Sequence, residues 1–242
     1  MSALAHLESL LRDRHLDLTL TTSALWKQSG GDRAALGVPS LDAALGGGLP
    51  RGQLSEIVGA RSAGRTTVLC HALAASAARG EAIALVDPSD RFDPGSASAL
   101  GLDLGRLLWV RGTGDVASAT TALKAMNLVL QAGNFGLVAL DLADVPAPAL
   151  RAFPFTTWLR LARVIEGTQS VALLVGAAHL ARSAGGVTLS LDRPADRTHV
   201  AWTGGSHRAR LLSAITLHPR LITARSTNPE QNHEPLNRTL NP

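Results

Sequence analysis

LSEIVGARSAGRTTVLCHALAASAARG, residues 54–80, decides the fold. It opens on a short apolar run of buried-strand length. It closes on an Ala- and Leu-rich stretch that stops at Gly80, as a helix does. Between them stands GARSAGRTT, residues 59–67, nearly the phosphate-loop pattern G-x-x-x-x-G-K-[ST]. Gly59, Gly64 and Thr66 are in place, with Thr67 next in the loop, but the lysine position holds Arg65. A strand, a glycine turn and a helix N-terminus bring backbone N–H groups together, and the helix dipole adds positive charge. The same glycines also suit a tight turn between a central strand and its helix.

The 242-residue length allows one large α/β domain, with or without a small appendage. With 45% apolar residues, 17% charged residues and no tyrosine, the core is expected from Leu, Val, Ile and Ala. The single cysteine, Cys70, excludes an internal disulfide framework and suits a reducing cytoplasm. MSALAHLESLLRDRHL lacks the uninterrupted apolar region of a secretory signal, and no run is long enough to cross a bilayer. Lys+Arg and Asp+Glu cancel at 15 each over residues 1–178, so the whole +4 excess lies beyond. Arginine supplies nearly all the cations. That is what a GC-rich genome gives, and also what a surface meeting phosphates or acidic partners needs.

Working outward, residues 3–13 have helical apolar spacing and LTLTTSALWKQSGGD reads as a linker, so residues 1–36 are taken as an N-terminal helix and linker. PSLDAA begins a short helix with Ser40 as cap, which Gly46, Gly47 and Gly48 end. Strands are expected at 81–87, RLLWVRG, GLVALD and SVALLVG. Helices are expected near 96–100, over 115–131 (with Val116, Ala119, Leu123, Met126 and Leu130 on one face) and over 155–166. VTLSLDR, THVAWTG and RLLSAITLHP alternate like antiparallel strands. The tail from 225 to 242 is polar and proline-spotted, and is expected to be disordered or extended. The fold class is α/β: a mostly parallel twisted sheet, helices on both faces, and antiparallel strands at the C-terminal side. Its domain spans 37–224.

GVPSLDAALGGGLPRGQLSEIVGARSAGRTTV, residues 37–68, resembles the start of the RecA/RadA recombinase ATPase core, and the order of elements continues to match to about residue 218. The short N-terminal helix, the compact length and LARSAGGVTLSLDR in place of long DNA loops resemble the ImuA branch. These are RecA-like accessory factors of a bacterial mutagenic translesion-synthesis system. The resemblance implies a role in the DNA-damage (SOS) response. It also implies a protein partner: a polymerase-like protein of the ImuB type, RecA, or an error-prone polymerase.

Position by position, the resemblance also marks departures. Arg65 keeps the charge of the phosphate-loop lysine on a larger, planar group. In DPSDRFDP, Asp87, Asp93 and Pro94 match the family, but Ser89 stands where a water-orienting glutamate belongs. A hydroxyl is far too weak a base to replace it; Asp90 is the neighbouring carboxylate available to substitute. Asp141 fits the magnesium-holding Walker B carboxylate, and equally a strand-end aspartate capping a turn. Ala178 stands at the polar sensor position, with His179 next to it. Three of four chemical positions are altered, so a pseudo-ATPase without catalytic residues is expected, with no cofactor or only weak ATP and magnesium. Gly185 and Gly186 suit a remnant DNA loop or a hairpin turn. No polymerisation strand with an exposed phenylalanine is evident, and Trp26 reads as an ordinary core or linker residue.

Three functions remain open on sequence. The first is a non-catalytic interaction protein whose N-terminal helix and tail make contacts. The second is a slow DNA-dependent ATPase using Arg65 and Asp90. The third is a DNA-binding module built on Arg193, Arg197, Arg208 and Arg210, although Asp192 and Asp196 interrupt that cluster. The scattered histidines have no metal-ligand spacing. Cys70 reads as a small core residue.

Overall fold

The computed structural model describes residues 33–114, 116–181, 186–192, 200–203, 211–222 and 238–240. β1 (Arg33–Ala34) pairs antiparallel with β2 (Leu49–Pro50) around helix α1 (Pro39–Ala44). Ser40 does not cap α1. The N-cap is Val38 and Pro39 takes the first turn, where a missing N–H breaks no helical hydrogen bond. Asp42 ties the entry instead, accepting from the N–H groups of Leu36 and Gly37 at 2.6 and 3.1 Å. Arg33, in the stretch read as linker, donates to the carbonyls of Leu45 and Gly48.

Strands and helices then alternate: β3 (Gln53–Gly59), α2 (Arg65–Ala78), β4 (Ala82–Asp87), α3 (Pro94–Ala99), β5 (Leu107–Arg111), α4 (Val116–Ala132), β6 (Phe135–Asp141), α5 (Ala147–Arg151), α6 (Phe155–Ile165) and β7 (Val171–Gly176). β8 (Thr188–Asp192), β9 (Val200–Thr203), β10 (Leu211–Ile222) and β11 (Arg238–Leu240) complete the described elements. The sheet order is β11-β10-β8-β3-β7-β6-β4-β5, with β9 also on β10. The six strands from β8 to β5 run parallel, and β9, β10 and β11 add antiparallel pairs.

Alternation along each strand divides the core. Leu54, Ala84, Val86, Val138, Leu140, Ala172 and Leu174 face a cluster built with Met126 and Leu130 of α4 and Trp158, Leu161 and Ile165 of α6. The intervening Ile57, Ile83 and Leu85 are equally buried, as are Leu69 and Leu73 of α2, which packs against β3, β4 and β6.

One strand expectation changes. VTLSLDR alternates like an antiparallel strand, yet β8 runs parallel to β3, from Glu56↔Thr188 to Gly59↔Leu191. It is antiparallel only to β10. Its alternation reflects two differently filled faces, with Leu189 and Leu191 opposite Thr188 and Ser190, all four buried. Within the tail, read as disordered or extended, Arg238–Leu240 pairs with Leu217–Ile215. The N-terminal helix, Trp26, Gly185 and the rest of the tail lie outside the described residues.

Gly186 is packed tightly against β3. A Cβ there would overlap the carbonyl of Leu54, because the chain crosses directly against β3 before β8 begins. The adjacent Val187 donates to Ser55 Oγ at 3.2 Å and accepts from the Glu56 N–H at 2.8 Å. Gly186→Ala is therefore expected to destabilise the protein by roughly 2–4 kcal/mol. Urea denaturation measures it, and a loss within experimental error would contradict this packing.

Candidate functional site

All the parallel strands end on one edge of the sheet, where open α/β folds bind ligands. Gly59, Asp87, Arg111, Asp141, Gly176 and Asp192 are their last residues. Gly59 must be glycine, since a Cβ would stand 2.5 Å from the Leu191 carbonyl oxygen of β8. The loop then turns through Ser62 and Gly64, both left-handed at φ 62° and 92°. Gly64 is the N-cap of α2 and supplies no side-chain acceptor. The first N–H groups of this 14-residue helix are thus left for a ligand or solvent. Thr66 is exposed there, and Thr67 is half-buried.

Arg65 lies beneath this mouth, with only 7% of its surface exposed. Its Nη1 is buried without a hydrogen-bond partner, an arrangement that a phosphate oxygen would relieve. Asp141 is close enough for the Arg65 charge to act on it. Burial nevertheless dominates and raises the Asp141 carboxyl to about 6. The Ala143 N–H, donating to Oδ1 at 2.9 Å, and Arg65 oppose the rise, while Asp87 and Asp144 add to it. Asp141 thus caps the following turn, the second of its two sequence readings, and lies within reach of the Arg65 charge. Burial, with the charges of Asp141 and Asp93, pushes the Cys70 thiol up to about 11, so this buried cysteine is no nucleophile.

The other altered positions gather along the same edge. Asp87 is buried and accepts from the Phe92 N–H at 2.8 Å, which shapes the turn carrying Ser89 and Asp90. Asp90 has φ 54° and takes both ends of the Arg111 guanidinium, at 2.7 and 2.8 Å. Arg111 in turn lies over Trp109, 4.5 Å from the ring centre, and Phe92 meets that ring edge-on. The Arg111 hydrogen bond holds the Asp90 carboxyl below its ordinary range. Asp90 is therefore clasped by a cation and made a weaker base. Asp93 caps α3, accepting from the Gly95 and Ser96 N–H groups. Ala178 is exposed beyond the end of β7.

The model of the RecA N-terminal domain matches residues 27–150, just over half of the chain. The chain belongs to the RecA family. It is 38% identical to Protein RecA of Nostoc sp. over 105 residues, which is 43% of this chain and 28% of that protein. Over 106 residues it is 39% identical to Protein RecA of Chlorobaculum tepidum (43% and 30%). Over 112 residues it is 35% identical to the chloroplastic DNA repair protein recA homolog 1 of Arabidopsis thaliana (46% and 25%). The match thus spans under a third of the length of these curated relatives. Within this RecA-like core, Gly59, Gly64, Arg65, Thr66 and Asp141 gather at the loop. Ser89 and Asp90 belong to the neighbouring turn, and Arg193, Arg197, Arg208 and Arg210 lie outside the described residues.

Glu56 escaped sequence reasoning. Only 2% of it is exposed, in the middle of β3. Its Oε1 accepts from the N–H groups of Leu180 and Ala181 at 3.0 and 2.8 Å, and Oε2 faces His179 Nδ1 and, at 3.4 Å, Thr188 Oγ1. His179, which the sequence offered beside Ala178, is thus engaged with Glu56. Thr188 and Glu56 both address Nδ1, so the trio is not a nucleophile–base–carboxylate relay. One carboxylate inside the apolar run LSEIVG was the signal. An acid buried there must be fully hydrogen-bonded.

Two consequences are measurable. Asp141 has its folded-state value above the 3.8 of the unfolded chain. Its ionisation therefore opposes folding, weakly near pH 4 and fully above about pH 6. Asp141→Asn should raise stability by about 1–2 kcal/mol at pH 8, a gain that vanishes as the pH falls to about 4. Denaturation curves across that range test the sign. Glu56→Ala leaves the Leu180 and Ala181 N–H groups without an acceptor. It should cost roughly 2–4 kcal/mol by the same measurement.

Proposed function

We propose that this RecA-family chain is a non-catalytic accessory protein in DNA repair, of the ImuA type, acting through protein contacts in damage-induced translesion synthesis. The observation that carries the non-catalytic reading is the turn after β4. Ser89 offers only a hydroxyl where the family resemblance places a water-orienting glutamate, and the adjacent Asp90 carboxylate is held by Arg111. Loss of water activation alone costs about 10²–10⁴-fold. Ala178 brings no polar group to the sensor position. Such a protein works in the cytoplasm beside a polymerase-like partner of the ImuB type, RecA or an error-prone polymerase. None of the described helices is long and apolar enough to cross a membrane.

A second reading, a slow DNA-dependent ATPase, is favoured by one feature: the uncapped α2 N-terminus over the orphan Nη1 of Arg65. These groups fit a phosphate. A magnesium ion would have the Thr66 hydroxyl and Asp141, whose Oδ1 already accepts from Ala143. Under this second reading ATP is hydrolysed slowly; under the first, any bound nucleotide is a weak structural ligand. DNA binding without ATP rests on the C-terminal arginines alone.

The test is ATP binding by calorimetry, with turnover measured with and without single-stranded DNA. No turnover above the buffer rate is expected in either condition, whether or not ATP binds. DNA-dependent hydrolysis that disappears in Asp141→Ala would overturn the non-catalytic reading.

A further inference from the structure

α6 is held firmly from one side. Trp158, Leu161 and Ile165 are buried in the core, and the Phe153 ring meets Trp158 edge-on with centres 6.2 Å apart. The other side presents two large apolar side chains one turn apart, Phe155 at 47% and Leu159 at 37% exposure. Arg160 and Arg163 are exposed on the same helix, and Arg151 is exposed at the end of α5. None of the three arginines forms an ion pair with a described residue. Glu166, at the C-cap, is the single acid from 151 to 166. An exposed Leu or Phe alone is ordinary. Here an apolar pair at helical spacing coincides with a threefold excess of unpaired guanidinium groups on a rigid helix.

We infer that this outer face of α6 is a docking surface for an acidic amphipathic helix of a protein partner, an inference that rests on the protein-contact reading above. Apolar anchors from the partner would cover Phe155 and Leu159. Carboxylates flanking those anchors would meet Arg151, Arg160 and Arg163 in charge-assisted, two-pronged hydrogen bonds. Nucleic acid fits less well. Its phosphates would engage the arginines, but one phenyl ring and one leucine make a poor platform for successive bases, and the leucine would stay uncovered. The electrostatic half of the contact sets association and salt dependence, and the apolar half supplies residence.

The experiment uses the full chain and a fluorescent synthetic helix carrying Leu and Phe at i, i+3, i+4 and i+7 with glutamate elsewhere. A scrambled peptide of the same composition and a single-stranded oligothymidine serve as comparisons. The amphipathic peptide should bind, the scrambled one much less, and binding should weaken with salt. Leu159→Glu and the pair Arg160→Glu/Arg163→Glu should each reduce affinity about tenfold or more, with melting temperature unchanged. The proposal fails if the amphipathic peptide does not bind, binds no better than its scramble, or binds the variants as well as the parent chain. It fails also if oligothymidine outcompetes the peptide, with loss in the double arginine variant and none in Leu159→Glu; that pattern marks a nucleic-acid surface. Failure here, alongside retained binding of a polymerase-like protein to both variants, removes this face and leaves the protein-contact reading standing.

Discussion

Strand β3 is held on both edges and both faces at once, and the rest of the molecule is arranged by that enclosure. β7 and β8 run parallel to it on either side. Leu54 and Ile57, on opposite faces, are each almost fully buried. Such a strand has no freedom to slip, because a one-residue shift would send Ile57 into the place of Glu56. Its last residue, Gly59, is consequently fixed against Leu191, and the loop to α2 begins from an immovable point. The close passes of Gly59 and Gly186 belong to the same constraint, since β8 can lie this near only where side chains are missing.

Burying β3 also buries charge, and the chain handles it in three ways. Glu56 is satisfied by two backbone N–H groups and by His179. Asp87 is satisfied by the Phe92 N–H. Asp141 and Arg65 are left less complete: one has a carboxyl raised by burial, the other an unpartnered Nη1. Glu56 and Asp87 hold loops in place. Asp141 and Arg65 stand together at the glycine loop. Asp90, the nearest spare carboxylate in sequence, is spent on Arg111.

The edge carrying the glycine loop and the outer face of α6 are separate features of this domain. The first is made of backbone N–H groups and one buried cation, the second of exposed arginines beside two apolar side chains. A protein that works by contact draws its specificity from the second kind of surface, where charge selects a partner and apolar burial retains it.

The sequence by itself determined the strand–loop–helix at residues 54–80, the alternation that makes an α/β sheet, and the residue types at Ser89 and Ala178. Those are local properties: strand length, glycine spacing, residue type. Tertiary structure decided what depends on distant neighbours. Val38 rather than Ser40 caps α1 because Pro39 takes the first turn. β8 runs parallel because the crossover from β7 brings it to the far side of β3, and a two-residue period reads the same in either direction. Glu56, 124 and 125 residues away from its Leu180 and Ala181 donors, had no visible partner in the linear chain. Asp90's engagement with Arg111 was hidden for the same reason, since the two meet only when β4 and β5 lie side by side. Hydrogen bonds and ion pairs between strands are set by register, and register is fixed by the packed sheet as a whole.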